Sequence, residues 1–533
     1  MTYQQLVPVP RYNPPGGWND QFQAVFRFVT NGSGHGCIEA VAGSGKTTAL
    51  VEAIIQYLEK HSGHRVLFVA FNVSIKEEGA KRLAGHNCDV LTCHGLGFRS
   101  LRKSPWNKAG RAQFDVQDSF GPYMTSLAEA EIGPEKEKAD DREALMDLIS
   151  KAKTTLADDV PSLVNLTNRF GIVSSYMPHE LAEKAVKIIN LTAQRPGTTL
   201  IAKKGKSFSK PAITFDDEIW LPIVNNWPVD QYDAVFVDEC QDLSPARREL
   251  VKRALKPGAR IVVCGDKMQA IYSWAGADID SLPTLVKEFN CTTLPLSFSW
   301  RCDASIIQEA RQLNPEIEAR PNADIGIVDN CKHTDLLESV KAGDVIISRT
   351  NAPLVKLFFQ LAKKQRKVKF IGRDYGRMLS YRIRGWKFHH EAMVAKGNAS
   401  GDFTGRNVLS ANDNWLDVQL EKSNNKTLCD RWKDEHATVV SLAEDLTVGL
   451  DSKESIKEIL ERCFSFSPDE NPNDKDGTEH ITLSSTHRFK GLERTHVYVL
   501  MDTYSPGDNQ EETNLLYVAV TRAKKHLTYV TKG

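Results

Sequence analysis

The chain of 533 residues is long enough for roughly three to four domains, and its 41% apolar and 26% charged residues are typical of a globular protein. Basic and acidic residues balance at 68 each, so no overall field favours nucleic acid or membrane, and a polyanion site must be a local basic patch. No apolar run approaches about 18 residues, no signal-peptide order opens the chain, and the ten cysteines form no C-x-x-C pair. We therefore expect a cytoplasmic protein with no membrane contact, zinc ribbon, iron–sulfur cluster or disulfide scaffold.

Short runs rich in Val, Ile and Phe end in Gly, Asp or Thr and lead into helical patterns. They occupy residues 66–71, 232–239, 260–266, 344–350, 367–372, 481–485, 495–502 and 526–531. Fully apolar strands that alternate with helices predict parallel sheets covered on both faces. The fold class expected is α/β, with two such cores.

Two stretches interrupt the strand-rich segments. Residues 101–212 are charged, favour helix and carry few strand signals, whereas 373–478 are mixed. We interpret each as a subdomain inserted into one core. The predicted boundaries are 1–100 with 213–290 for the first core, and 291–372 with 479–533 for the second.

The stretch AVAGSGKTT at 40–48 follows a short strand and opens a helical pattern. It fits the Walker A phosphate-binding pattern, except that Ala40 replaces the usual first glycine. Its glycines let backbone N–H groups surround phosphate oxygens, Lys46 can reach the terminal phosphates, and the Thr47 hydroxyl can ligate Mg²⁺. The alternative is a glycine-rich turn that binds nothing. The predicted nucleotide-binding residues here are Ala42, Gly43, Ser44, Gly45, Lys46, Thr47 and Thr48.

A second acidic element, VFVDECQD, ends the apolar run near residue 237. Asp238 is placed to hold Mg²⁺, and Glu239 to orient and deprotonate an attacking water. Such a pair alone is often a solvated strand end, but after a Walker A stretch it indicates a Walker B element. The sequence therefore predicts an NTPase that uses Mg²⁺.

The motifs of the chain, in order, resemble those of the UvrD/Rep/PcrA-type superfamily 1A DNA helicases. They are NDQFQAV (19–25), AVAGSGKTT (40–48), FVAFN (68–72), TCHGLG (92–97), ITFDDEIW (213–220), VDECQD (237–242), GDKMQAIYSWAGA (265–277), LSFSWRC (296–302), TLSSTHRFKGLE (482–493) and LLYVAVTRAKK (515–525). Single motifs are weak evidence, but ten in family order are specific. The resemblance implies two RecA-like cores, with ATP bound in the cleft between them.

The resemblance also implies roles at the nucleotide. Gln21 would read the adenine, Trp300 would stack on it, and Glu493 would reach the ribose. Gln269 would sense the terminal phosphate, and Arg301 and Arg522 would approach it as catalytic cations. A surface ion pair is the alternative for either arginine.

For nucleic acid, the resemblance implies that aromatic rings stack on single-stranded bases. Phe71, Tyr272 and Trp274 are the expected rings, although each could instead belong to the core. Short polar side chains are expected at the backbone, namely Thr92, His94, Thr486 and His487.

The chain departs from the family pattern at a few positions. Thr48 and Ala275 stand where the family often has Arg, which removes one adenine-stacking and one DNA-facing cation. Ten basic residues lie between Lys363 and Lys387 with one acid, Asp374. This cluster is either a nucleic-acid contact or a solvated face.

The leading hypothesis is an ATP-dependent DNA helicase that acts on single strands and on junctions of single strand with duplex, with 3′→5′ travel implied by the family. One alternative is a translocase that strips proteins or serves a repair, replication or defence complex with protein partners, which the short second insertion favours. Another is a DNA-binding scaffold that does not hydrolyse ATP. The intact set Lys46, Asp238, Glu239, Arg301 and Arg522 disfavours that reading.

Overall fold

The computed structural model describes residues 17–107, 114–203, 206–273, 280–371, 405–422, 426–449 and 479–532, with Pro14, Gly276, His390 and 393–395 besides. The chain forms two compact units, Met1–Ser297 and Phe298–Gly533. The sequence predicted a boundary after residue 290, but the strand that follows it joins the first sheet, so the first unit extends to Ser297.

The strands of the first unit are β1 (Gly36–Ala40), β2 (Val66–Ala70), β3 (Cys88–Thr92), β4 (Asp115–Gln117), β5 (Gly197–Lys203), β6 (Lys206–Thr214), β7 (Tyr232–Val237), β8 (Leu255–Gly265) and β9 (Thr292–Leu296). Its helices are α1 (Asp20–Asn31), α2 (Lys46–Lys60), α3 (Val73–Arg82), α4 (Cys93–Leu101), α5 (Pro122–Ile132), α6 (Ala139–Thr155), α7 (Val160–Phe170), α8 (Pro178–Gln194), α9 (Phe215–Val224), α10 (Pro245–Arg253) and α11 (Ser281–Phe289).

Six strands of this unit form a parallel sheet in the order β3-β2-β7-β8-β1-β9. Successive residues of one strand face different cores. Phe236 packs with α1 and α2 on one face, whereas Val235 and Val237 pack on the other. Both faces are therefore apolar, which explains the unbroken apolar runs in the sequence and confirms the predicted fold class.

The first insertion holds α5 to α8 around a core of its own. It also contains a small sheet, β4-β6-β5, in which β5 and β6 form a hairpin. The sequence suggested few strands here because β5 and β6 contain many Lys, Ser and Thr residues and no apolar run longer than three residues, unlike the strands of the main sheet.

The strands of the second unit are β10 (Phe298–Ser299), β11 (Glu318–Ala319), β12 (Ile327–Lys332), β13 (Val345–Ser348), β14 (Val368–Ile371), β15 (Ile481–Ser485), β16 (Arg494–Leu500) and β17 (Ala523–Thr531). Its helices are α12 (Ala304–Leu313), α13 (His333–Ser339), α14 (Ala352–Lys363), α15 (Gly405–Lys422), α16 (Lys426–Gly449), α17 (Thr486–Phe489) and α18 (Gln510–Val520).

The second unit is built on another six-stranded parallel sheet, in the order β12-β17-β16-β13-β15-β14. Helices α15 and α16 belong to the second insertion. Asp434 on α16 accepts hydrogen bonds from the backbone N–H groups of Asn351 and Ala352, at the start of α14. The insertion is thereby tied to the first turn of a core helix.

Two imidazoles stack across this sheet, His496 on β16 and His526 on β17, with ring centroids 3.7 Å apart. His526 Nε2 lies 2.9 Å from Asp329 Oδ2, and His496 Nδ1 lies 3.6 Å from Asp344 Oδ2. Burial, and then the charge of His526, lower the pKa of His496 to about 4; Lys341 acts in the same direction and Asp329 opposes it.

This lowered pKa predicts loss of stability in mild acid. The unfolded chain takes up a proton at His496 near pH 6.5 and the folded chain does not, so the free energy of unfolding falls as the pH drops from 6.5 towards 4. His496→Gln should remove about 2 kcal/mol of the loss expected at pH 5. Protection factors of the β16 and β17 amides at neutral pH and at pH 5 measure it.

The exposed His179, which pairs with Glu183 in the following turn, provides the control. His179→Gln should lose stability in acid as the parent does. If His496→Gln lost as much stability between neutral pH and pH 5 as the parent does, His496 would not be the source of the acid sensitivity.

Candidate nucleotide and nucleic-acid sites

The phosphate-binding loop connects β1 to α2. Gly43 and Gly45 have φ of 72° and 84°, a region that side chains other than glycine rarely adopt, and α2 begins directly after Gly45. The first N–H groups of α2 therefore face the loop, which is an arrangement suited to phosphate oxygens.

Lys46 is buried at the start of α2 and is surrounded by acids. Its Nζ lies 3.1 Å from Glu239 Oε2. Burial alone would lower the pKa of Lys46, but the charges of Glu239, Asp266 and Asp238 raise it above its usual range. The lysine therefore stays charged.

Asp238, at the end of β7, receives a hydrogen bond of 2.6 Å from Thr47 Oγ1 to its Oδ2. Burial, followed by the charge of Glu239, raises the pKa of Asp238 to about 7. Two hard oxygen donors side by side fit a Mg²⁺ ion that keeps several waters, and an ion there would favour the ionised carboxylate. Within the described residues no group of three or more His, Cys, Asp and Glu could hold a metal ion.

Gln241 links this acidic pair to the segment after β8. Its Nε2 donates to Glu239 Oε2 at 2.5 Å, and its Oε1 accepts from the Asp266 N–H at 3.0 Å. Asp266 Oδ2 in turn accepts from Gln269 Nε2 at 2.7 Å. Gln241, Asp266 and Gln269 are all buried. The ion pair of Lys46 with Glu239 and the three hydrogen bonds that follow connect Lys46 to Gln269.

Glu239 itself has a φ of 50°, which is costly for a residue with a side chain. The turn lets consecutive carboxylates face different partners, Asp238 towards Thr47 and Glu239 towards Lys46 and Gln241. Sequence reasoning assigned roles to the acids and to Gln269 but missed Gln241, although it lies within VDECQD.

The side chain of Gln21, predicted to read adenine, is engaged twice by Ser297. Gln21 Nε2 donates to Ser297 Oγ at 2.8 Å, and its Oε1 accepts from the Ser297 N–H at 3.0 Å. Thr48 accepts a hydrogen bond of 3.2 Å from Arg82 on α3. A guanidinium thus reaches the position where the sequence lacks the expected arginine.

In the second unit the structure brings together three predicted residues, Arg301, Arg522 and Glu493. Arg301 Nε donates to Glu493 Oε2 at 2.6 Å, and Lys524 Nζ lies 2.7 Å from Glu493 Oε1. Arg522 is 1% exposed and, within the described part of the chain, its side chain donates to the neutral oxygens of Val518, Leu492 and Thr521. Burial, and then the charge of Arg301, lower the pKa of Arg522 to about 9. A buried guanidinium without a carboxylate partner is suited to receive an anion.

Trp300, predicted to stack on adenine, also belongs to the second unit. It is 44% exposed, among the more exposed large hydrophobic side chains of the described chain. An exposed indole is free to offer its face to a planar ligand.

On the nucleic-acid side, Phe71 follows β2 and its ring lies nearly parallel to that of Tyr272, with centroids 6.3 Å apart. Trp274 lies outside the described residues. Phe215, which sequence reasoning missed, is 51% exposed and meets the edge of His94 at 6.0 Å. Its signal was an aromatic residue at the start of FDDE, a stretch with no assigned roles.

The residues after Phe215 each hold a different neighbour. Asp216 accepts from Ser119 and Ser150 of the first insertion. Asp217 accepts from the buried Lys153 at 2.7 Å, and Glu218 lies 2.9 Å from His94 Nδ1. The tetrapeptide FDDE therefore fastens the insertion to the core beside an exposed aromatic ring.

The four residues predicted at the nucleic-acid backbone differ in accessibility. Thr92 Oγ1 accepts from the Gly95 N–H and caps α4, and His94 and His487 are half-buried. Thr486 is fully buried, with its hydroxyl bonded to Tyr504 and to the Ser348 carbonyl. It therefore faces the interior, and only a positioning role is compatible with this burial.

Of the basic cluster, residues 372–387 lie outside the described chain. Within the remainder, Lys364 pairs with Glu338, Arg366 donates to the Val340 carbonyl, and Lys369 is 9% exposed. Part of the cluster thus serves the fold rather than a ligand.

A glycine-rich phosphate loop after β1, an acidic pair after β7 of the same sheet and parallel strands define a P-loop nucleotide-binding fold. The family model described as the UvrD/REP helicase N-terminal domain matches residues 19–290, and that of the UvrD-like helicase C-terminal domain matches 480–530. The chain belongs to the UvrD/REP helicase family.

Similar proteins include two F-box DNA helicases. The chain is 26% identical to F-box DNA helicase 1 of Gallus gallus, over 92% of this chain and 46% of that protein. It is 24% identical to F-box DNA helicase protein 1 of Schizosaccharomyces pombe, over 92% of this chain and 55% of that protein. It is 25% identical to the ATP-dependent DNA helicase PcrA of Staphylococcus aureus, over 52% of this chain and 37% of that protein. The chain spans about half the length, or less, of these relatives. None of the described helices is long and apolar enough to cross a membrane.

The contacts of Gln241 predict a loss of turnover when its amide is removed. Gln241→Leu should lower kcat for ATP hydrolysis by about 10- to 100-fold with little change in KM, because the side chain orients Glu239 and is not expected to touch the nucleotide. Steady-state hydrolysis across ATP concentrations measures both constants.

Gln56 on α2 bonds Glu52 at 2.8 Å and provides a matched Gln–Glu pair outside the site. Gln56→Leu should hydrolyse ATP as the parent does. If both variants kept the parental kcat, Glu239 would need no support from Gln241.

Proposed function

We propose that the chain is an ATP-dependent DNA helicase motor that moves along single-stranded DNA in the 3′→5′ direction. Membership of the UvrD/REP helicase family supports the activity. The observation that carries the proposal is the hydrogen-bonded path from Lys46 through Glu239, Gln241 and Asp266 to Gln269. It joins a phosphate-binding loop to the segment that bears Tyr272.

The residues around the phosphate loop would divide the work of ATP hydrolysis. Thr47 and Asp238 would hold Mg²⁺, which when bound supplies charge stabilisation to the phosphates. Lys46 would bind the terminal phosphates, and Glu239 would orient the attacking water and take its proton. From the second unit, Arg301 and Arg522 would stabilise the charge that develops on the transferred phosphoryl group.

The remaining nucleotide contacts are proposed from side-chain chemistry. Gln21 and Trp300 would bind the adenine, and Glu493 the ribose. Arg82 would supply the cation that Thr48 lacks, since its guanidinium already lies at that side chain.

The track for single-stranded DNA would be aromatic. Phe71, Tyr272, Trp274 and Phe215 would offer faces to bases, and stacking of this kind is worth roughly 1–3 kcal/mol per base whatever the sequence. Thr92, His94 and His487 would lie along the sugar–phosphate backbone, with Thr486 supporting from within. When the terminal phosphate is lost or gained, the resulting change at Gln269 would be transmitted to Tyr272, which lies three residues further along the chain.

A second candidate is a translocase that strips proteins or works within a repair, replication or defence complex and unwinds little alone. The short second insertion, of which α16 is bonded to the start of α14 in the core, favours it. Both candidates act on single strands and on junctions of single strand with duplex.

ATP hydrolysis and strand displacement measured in parallel test the proposal. Oligo-dT should stimulate hydrolysis, and displacement should need a 3′ tail rather than a 5′ tail or a blunt end. Lys46→Ala should abolish both while single-strand binding persists, because the lysine faces the phosphates and not the bases.

Stimulated hydrolysis without displacement would favour the translocase, and displacement from a 5′ tail would reverse the polarity. Hydrolysis at one rate with and without DNA, together with no binding of oligo-dT, would refute the motor.

A further inference from the structure

His94 is held through both nitrogens of its ring. Glu218 Oε2 lies 2.9 Å from Nδ1, and Arg247 Nη2 lies 3.5 Å from Nε2. A carboxylate only accepts hydrogen bonds, so Nδ1 carries a hydrogen. In the neutral ring Nε2 is then the acceptor, and the guanidinium of Arg247 is its donor.

This arrangement makes His94 a poor partner for a backbone phosphate. Its Nε2 has a lone pair rather than a hydrogen, and phosphate oxygens are acceptors. Protonation of the ring would place a new N–H group opposite the N–H groups of Arg247. The half-buried imidazole is better suited to position a neighbour than to bind the phosphate itself.

Arg247 has the properties that His94 lacks. It lies on the first turn of α10, where the helix dipole favours anions, and its guanidinium has five donors. It takes part in no ion pair within the described part of the chain, and its one side-chain hydrogen bond there is to His94. Phe71, His94 and Asp238 line the same narrow cleft.

Two aromatic rings lie near this group. The Phe215 ring is roughly perpendicular to that of His94, with centroids 6.0 Å apart, and Phe71 lines the same cleft as Arg247. A strand whose bases stack on such rings carries a phosphate between each pair of bases. An arginine near both rings can meet that phosphate with two parallel N–H groups.

We propose that Arg247 binds a backbone phosphate of a single-stranded polynucleotide, and that Glu218 and His94 are positioning residues that orient its guanidinium. The inference rests on the proposed function and adds to it a cation that the motif comparison did not assign. It also changes the role expected for His94 from phosphate contact to support.

The salt dependence of oligo-dT binding tests the contact. Each phosphate neutralised on a single strand contributes about 0.7 to the slope of log K against log salt concentration. Arg247→Gln should lower the slope by about 0.7 and weaken binding several-fold at low salt. Arg248→Gln, the same change of charge one residue along α10, should leave the slope as in the parent.

Folding is checked by the unfolding midpoint. Arg247→Lys keeps the charge and should retain the slope. This variant is measured instead if Arg247→Gln is unstable. A parental slope and affinity in Arg247→Gln would overturn the inference. Failure of the parent to bind oligo-dT would overturn the proposed function as well, so the two failures differ.

The positioning role and simple electrostatics predict opposite changes in binding when Glu218 is replaced. Glu218→Ala removes a negative charge, which by itself would strengthen binding to a polyanion. If Glu218 orients His94 and Arg247, this variant should instead weaken binding, and Glu218→Gln, whose amide oxygen can still accept from Nδ1, should restore it. Stronger binding by Glu218→Ala would refute the positioning role.

Discussion

The candidate nucleotide site of the first unit depends on one buried lysine that balances the charge of three carboxylates. Lys46 offsets the charges of Glu239, Asp238 and Asp266, which meet where parallel strands end at the same edge of a sheet. Burial raises the pKa of Asp238 and of Asp266, and the charge of Lys46 opposes both shifts. In the proposed function the same lysine faces phosphate in the nucleotide complex, so binding would exchange one set of anions for another. Gln241 and Asp266 are bonded to this group, so such an exchange would change their contacts.

The amino-acid sequence predicted the two sheets well because their strands are apolar on both faces. It also assigned Lys46, Thr47, Asp238 and Glu239 to one nucleotide site, and these residues lie together at the edge of the sheet where β1 and β7 end, with β8 between the two strands. Arg301, Arg522 and Glu493 lie together in the second unit, and their roles at the nucleotide stay predictions. Those predictions rest on local pattern and topology, which a single sequence records.

Contacts between distant loops were not predictable in this way. The bond of Gln241 to the Asp266 N–H depends on the paths of two turns, and the burial of Thr486 depends on Tyr504 from another segment. The support of His94 needs an acid on α9 and an arginine on α10. The hairpin of β5 and β6 was missed because its strands are rich in Lys, Ser and Thr and carry only short apolar runs. Each case turns on tertiary geometry rather than on residue type.

The hydrogen bond from Arg82 to Thr48 bears on how sites of this kind diverge. A guanidinium that approaches from α3 can fill a place that the motif itself leaves to a threonine. Natural selection acts on the position of the positive charge, whichever helix carries the residue that supplies it. Two homologues can therefore differ at a diagnostic letter and still hold the same chemical group over the same ligand, so motif scoring alone would underrate their kinship.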